Sequence, residues 1–296
     1  MIRFGIDFGG TKIEAAALDQ TGAFVARVRK PNPGNYEEAL EVVADLLTDA
    51  ETMAGATCAR LGLGIPGSIS PRSGLIRNAN STYLNGRPFG QDLEQRLARP
   101  VRLANDANCL ALSEAADGAG AGARVVFAAI LGTGCGGGVV VDGQILDGHN
   151  GIAGEWGHTP LPWPRPEEYP GPDCWCGRKG CLETWIAGPS FSRDAGFATG
   201  QATMDAVNAG NASAMAALDR YFDRLGRAFG ALCDLIDPDV IVLGGGMSNV
   251  DALYERLPAA IAPHVFSDVF ETPVKKAMHG DSSGVRGAAW LWPPEA

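Results

Sequence analysis

Ile2-Arg3-Phe4-Gly5-Ile6-Asp7-Phe8-Gly9-Gly10-Thr11-Lys12 decides how the rest of the chain is read. Ile2 to Ile6 has the apolar, β-favouring character of a short strand, and Asp7 to Lys12 forms the turn that ends it. Beyond the turn, Ile13–Leu18 and Ala23–Val28 flank Thr21-Gly22, the pattern of a hairpin. A glycine turn that returns as a strand is not the dinucleotide-binding pattern, in which the turn opens a helix. It is not a Walker A loop either, because no glycine-bounded Lys-Ser or Lys-Thr is present.

The same unit recurs. Val125–Leu131 is a near-continuous apolar strand that runs into Gly132-Thr133-Gly134-Cys135-Gly136-Gly137-Gly138, and Val139–Val141 resumes the strand. A third turn, Gly244-Gly245-Gly246-Met247, follows the strand Val240–Leu243. Glycines let backbone approach a ligand with no Cβ in the way. Successive N–H groups can then face phosphate oxygens, and Thr11 and Thr133 add hydroxyl donors. Asp7, at a strand end, can hold water on a Mg²⁺ ion. The nucleotide candidates are therefore Asp7, Gly9, Gly10, Thr11, Lys12, Gly132, Thr133, Gly134, Gly244, Gly245, Gly246 and Met247.

Around these turns, Tyr36–Ala54 and Ala212–Leu235 carry helical spacing, Leu61–Ile65 and Val101–Ala104 read as strands, and a helix opens near Asn105. Pro160–Pro172 is proline-rich and reads as an exposed loop. A chain of 296 residues suits two lobes. The expected division is an N-terminal α/β lobe over 1–117 and a C-terminal α/β lobe over 118–296, with the last helix free to return to the first. The whole looks like the two-lobed actin-like ATPase (ribonuclease H-like) fold, with ligands in the cleft between lobes.

The formal net charge of -10 disfavours nucleic acid and anionic membrane as partners. No apolar run approaches the ~20 residues that span a bilayer, and the N-terminus lacks the pattern of a signal peptide. A cytoplasmic protein is expected. Seven cysteines, an odd number, fit a reducing compartment better than a disulfide framework. Three of them cluster in Cys174-Trp175-Cys176-Gly177-Arg178-Lys179-Gly180-Cys181, and His158 lies upstream. Three thiolates and an imidazole complete a tetrahedral structural Zn²⁺ site, with no position left for catalysis.

Taken together, these motifs resemble the ROK family of sugar kinases and repressors. The resemblance rests on the three glycine turns, Gly64-Ile65-Pro66-Gly67, Asn105-Asp106-Ala107-Asn108, Gly154-Glu155-Trp156-Gly157-His158 and the cysteine loop. Asn78–Gly86 and Lys276–Gly284 look most like the fructokinase, or mannokinase-like, branch. The family's cysteine signature usually continues to a Ser where this chain has Ala187.

The resemblance implies an ATP-dependent hexose kinase, most simply one that forms fructose 6-phosphate. Mannose, glucose and N-acetylglucosamine are the alternative acceptors. Asp106 is the candidate general base, since a sugar hydroxyl is a poor nucleophile until its proton is taken. The competing reading of Asp106 is an N-cap for the helix that follows. The resemblance places Asn80, Asn105, Glu155, His158 and Glu183 around the sugar, and it implies a homodimer. A sugar-sensing regulator is the non-enzyme alternative. It is disfavoured because no helix-turn-helix fits ahead of Asp7 and the charge is acidic.

Overall fold

A computed structural model describes residues 2–293. The described residues form two compact units, one of residues 2–122, 143–153 and 279–293, the other of residues 123–142 and 154–278.

The first unit begins with β1 (Arg3–Phe8), β2 (Lys12–Leu18), β3 (Phe24–Pro31) and α1 (Tyr36–Ala54). It continues through β4 (Leu61–Ile65), β5 (Ser68–Ile69), β6 (Ile76–Arg77), α2 (Phe89–Leu97), β7 (Val101–Asn105) and α3 (Asp106–Asp117). Its main sheet has the order β3-β2-β1-β4-β7. The first three strands pair antiparallel, with Phe8 opposite Ile13 across the first glycine turn. β4 and β7 add in parallel. Helix α1 covers this sheet because Tyr36, Ala39, Val43, Leu46, Leu47 and Ala50 recur on one face and are buried. Asn35 caps its start by accepting from the Glu38 N–H, and Gly55 closes it in the left-handed conformation.

The second unit holds β8 (Val125–Leu131) and β9 (Cys135–Val141), an antiparallel pair. The two-residue β10 (Gln144–Ile145) lies in the 143–153 excursion that belongs to the first unit. After the cysteine loop come α4 (Glu183–Ile186), α5 (Gly188–Ala195), α6 (Gly200–Asn208), α7 (Ala212–Ile236), β11 (Val240–Gly244), α8 (Ala252–Ile261) and β12 (Val274–Lys276). The strands run β9-β8-β11-β12, with β8, β11 and β12 parallel. Phe127, Trp156 and Phe229 pack ring to ring at the centre of this unit's core, with centroids 4.8–6.4 Å apart.

α9 (Ser283–Trp290) returns to the first unit and lies against β1 and β4. Gly5 and Gly62 make this possible: a Cβ on either would fall within 2.3 Å of the α9 backbone. Each unit thus presents a hairpin extended by parallel strands, the sheet of an actin-like ATPase lobe.

Pro160–Pro172 is exposed over most of its length, as expected, but Leu161 and Glu168 within it are buried. Glu168 accepts from Arg224 Nε at 2.9 Å, Arg227 Nη2 at 3.0 Å and the Arg165 N–H at 3.0 Å. The two arginines come from α7, so the prolines stiffen a strap that a buried ion cluster ties to the longest helix. Among the described residues, no helix is long and apolar enough to cross a membrane.

Candidate functional site

In the first unit the site is built at the carboxyl ends of β1 and β7. Asp7 is opposite Glu14 in the β1–β2 pair and faces Gly284 at the start of α9. Burial, then the charges of Asp106 and Glu14, push the Asp7 carboxyl up to about 6 against the opposing pull of Lys12. Neighbouring carboxylates that resist joint ionisation form a donor set suited to a hard divalent cation. Past Asp7, Gly9 and Gly10 form the turn. A Cβ at Gly9 would meet the Lys12 carbonyl at 2.8 Å, and Gly10 faces open space. Asn32, which the sequence reading did not single out, donates from Nδ2 to the Gly9 carbonyl at 2.8 Å, while its N–H donates to Thr11. Tyr83 in turn donates its hydroxyl proton to Asn32 Oδ1. The first turn is therefore held from behind by a polar pair.

Of the neighbours Asn105 and Asp106, the capping position falls to Asn105. Asn105 is the N-cap of α3: its Oδ1 accepts from Ala107 N at 2.8 Å and Asn108 N at 3.2 Å. Asp106 is the first helical residue and is exposed. Asn80 is also exposed, in a loop that Asn85 closes by pairing with both the N–H and the carbonyl of Ala79.

The second unit supplies a cavity of about 810 Å³, in the range of small-molecule sites. Gly132, Thr133, Gly246 and Met247 line it, as do Thr199, Gln201, Asn208 and Asp251 from segments that sequence reading left unassigned. Gly134, Gly244 and Gly245 are not among the lining residues. Gly245 instead braces the turn. Its φ is 80°, and a Cβ there would strike the Leu131 carbonyl at 2.6 Å. The Gly132 carbonyl accepts from Gly188 N at 2.8 Å, which pins the start of α5 to the same turn.

The cysteine loop is in the same unit. His158 Nδ1 lies 3.6 Å from Cys174 Sγ, Cys176 Sγ lies 3.6 Å from Cys181 Sγ, and all four donors fall within 4.8 Å of one another. Tetrahedral Zn–S bonds of about 2.3 Å place sulfurs about 3.8 Å apart, so the donor set and its spacing fit zinc. Burial raises the Cys174 and Cys181 thiols, and the Arg178 backbone N–H lowers Cys176. Glu155 precedes the short 3-10 turn that carries His158 and is exposed.

Glu183 opens α4 two residues after Cys181. Its Oε2 accepts from Cys135 N at 3.0 Å and its Oε1 from Trp175 Nε1 at 2.7 Å. It thereby joins the second glycine turn to the cysteine loop, a link that sequence spacing does not reveal.

The chain is 40% identical over 299 residues to an N-acetyl-D-glucosamine kinase from Pectobacterium atrosepticum, covering 97% of this chain and 98% of the relative. It superposes on a ROK hexokinase from Thermus thermophilus with a TM-score of 0.88 and 33% identity, covering 98% and 97% of the two chains. A ROK family glucokinase from Streptomyces griseus, solved with glucose and AMPPNP, matches at a TM-score of 0.78 and 25% identity over 98% and 99% of the two chains. The ROK family profile matches residues 3–295, and the chain belongs to that family.

Proposed function

We propose that the protein is an ATP-dependent hexosamine kinase that phosphorylates N-acetylglucosamine, with Asp106 as general base. The observation that carries the chemistry is the exposed Asp106 carboxylate at the first turn of α3, directly after the N-cap Asn105. The choice of sugar draws on the N-acetylglucosamine kinase related over nearly the whole chain.

Asp106 takes the proton of the sugar hydroxyl as its oxygen attacks the terminal phosphorus of ATP, and ADP leaves. General-base help of this kind supplies ~10²–10⁴-fold, and alignment with charge neutralisation supplies the rest. Asp7 holds water on Mg²⁺, which neutralises phosphate charge when bound. Gly9, Gly10, Thr11, Lys12, Gly132, Thr133 and Gly134 serve the phosphates through their backbone N–H groups and the Thr hydroxyls. The cavity beside Gly246 and Met247 takes the nucleoside, with Gly244 and Gly245 shaping that turn. Asn105 spends Oδ1 on the helix, which leaves its Nδ2 group for a sugar oxygen. Asn80, Glu155, His158 and Glu183 supply the remaining polar partners. His158, Cys174, Cys176 and Cys181 hold a structural Zn²⁺ that fixes the segments bearing Glu155 and Glu183.

The fructose reading rested on Asn78–Gly86 and Lys276–Gly284, and both segments have structural work of their own. Asn85 closes the first loop on Ala79. In the second, His279 pairs with Asp117, and Ser283 donates to Glu114. These contacts account for Asn85, His279 and Ser283 without a sugar, and Asn80 alone of the first segment is kept as a sugar partner. A coupled assay with ATP and a panel of N-acetylglucosamine, N-acetylmannosamine, glucose, mannose and fructose tests the proposal. The highest kcat/KM is expected for N-acetylglucosamine. Preference for fructose would restore the other reading, and no phosphorylation of any sugar would defeat both.

A further inference from the structure

Trp175 lies between two cysteines of the metal loop, yet its side chain is 66% exposed. An exposed indole is ordinarily mobile, but this one is fixed from two sides. Its ring meets the His158 ring edge-to-face, with centroids 4.9 Å apart at 84°. Its Nε1–H donates to Glu183 Oε1 at 2.7 Å. The backbone is held as well: the Cys174 N–H donates to the Arg178 carbonyl, and the Gly177 N–H to the Cys174 carbonyl. The indole is thus a rigid apolar surface that touches two of the side chains read above as sugar-binding, with its remaining area open to solvent.

We propose that Trp175 is a specificity residue of the sugar site, packing its free face against the C–H face and 2-acylamino group of a hexosamine while its N–H sets the Glu183 carboxylate. The inference rests on the sugar-kinase reading. Indole suits the task because it offers a large apolar face with a single polar edge, and that edge is already satisfied. Glu183 keeps acceptor capacity for hydroxyls, because an ionised carboxylate has about four lone-pair sites and the protein donors occupy two. An acyl methyl buried on the ring favours the acylated sugar over plain hexose by the increment that one or two apolar groups give, about ten- to a hundredfold in kcat/KM.

The test compares Trp175→Phe and Trp175→Ala with wild type, using N-acetylglucosamine and glucose as acceptors. Trp163→Ala serves as a control, since it removes another exposed indole, stacked on His264. Zinc content per chain and the KM for ATP report whether each variant keeps its loop and nucleotide site. The expected result is a raised sugar KM in Trp175→Ala, larger than any fall in kcat. The N-acetylglucosamine-to-glucose selectivity ratio should fall about tenfold or more. Trp175→Phe should retain most of the selectivity, because it keeps a ring but loses the N–H. Unchanged selectivity and sugar KM in zinc-replete Trp175→Ala would overturn the proposal, as would an equal loss in Trp163→Ala. Wild type without kinase activity on either sugar would fail the parent reading. In that case, calorimetry with N-acetylglucosamine still decides the role of Trp175, since binding equal in wild type and Trp175→Ala overturns it.

Discussion

Asn105 Oδ1 accepts from the Ala107 N–H at 2.8 Å and the Asn108 N–H at 3.2 Å, which makes Asn105 the cap of α3, and Asp106 Oδ1 shares the Ala107 N–H at 2.8 Å. Replacing the cap should therefore affect both stability and chemistry. Asn105→Ala is expected to cost ~1 kcal/mol in denaturant unfolding and to lower turnover. Asn105→Asp restores an acceptor for the helix and should recover the stability. It also sets a second negative charge beside Asp106 and removes the Nδ2 donor, so turnover should stay low. Full recovery of turnover in Asn105→Asp would mean that Asn105 acts only as a cap.

The raised Asp7 carboxyl sets a pH signature. Folding penalises its ionised form, so its cost is absent below about pH 4, where the group is protonated in both states. The cost grows as pH rises through the folded value of about 6. Asp7→Asn should thus unfold at a higher temperature than wild type at pH 8, by a gain on the order of 1–3 kcal/mol that vanishes near pH 4. The same variant should lose kinase activity at saturating sugar. Thermal melts at the two pH values check the first half, and a loss of stability at pH 8 would contradict it.

Glu168 behaves in the opposite sense. Burial pushes its carboxyl up, but the Arg165 N–H and the guanidiniums of Arg224 and Arg227 outweigh burial and hold it below its ordinary value. A depressed acid contributes stability that is present above its unfolded value and lost as pH falls through the folded one. Glu168→Gln should destabilise by roughly 3–5 kcal/mol at pH 7, since two nearly buried arginines lose their shared anion. The deficit should shrink on acidification. A Glu168→Gln protein as stable as wild type at pH 7 would show the strap to be held by packing alone.

Metal removal separates the two ligand sites. His158 and Cys181 bracket the segments that carry Glu155 and Glu183, whereas the 810 Å³ cavity is lined by α5, α6 and the turn after β11. Chelation should weaken N-acetylglucosamine binding by about tenfold or more and change nucleotide affinity much less. Calorimetry on chelated protein checks this, and unchanged sugar affinity would refute it.

Much of this arrangement was legible in the sequence because glycine turns and strand alternation are local signals. The β1–β2 hairpin, the Leu131-to-Cys135 turn and the His158–Cys174–Cys176–Cys181 cluster needed no long-range information. The paired Asn105 and Asp106 were visible as a motif, but which of them capped α3 depends on backbone dihedrals. Contacts across distant segments stayed hidden. Asn32 behind Gly9, Glu183 between Cys135 and Trp175, and Glu168 beneath Arg224 each join residues at least 23 positions apart in at least one contact. α9 left a trace only in Gly5 and Gly62, whose missing side chains make sense once the helix lies on them. The sugar was the least legible feature, because in the segments that suggested fructose Asn85, His279 and Ser283 make contacts within the fold.

Single-turnover transfer from ATP to N-acetylglucosamine in wild type and Asp106→Asn, with sugar affinity measured on the same samples, addresses the central claim most directly. The account predicts that transfer slows by about 10²–10⁴-fold while sugar affinity stays within about threefold of wild type. Transfer at the wild-type rate in Asp106→Asn would contradict it.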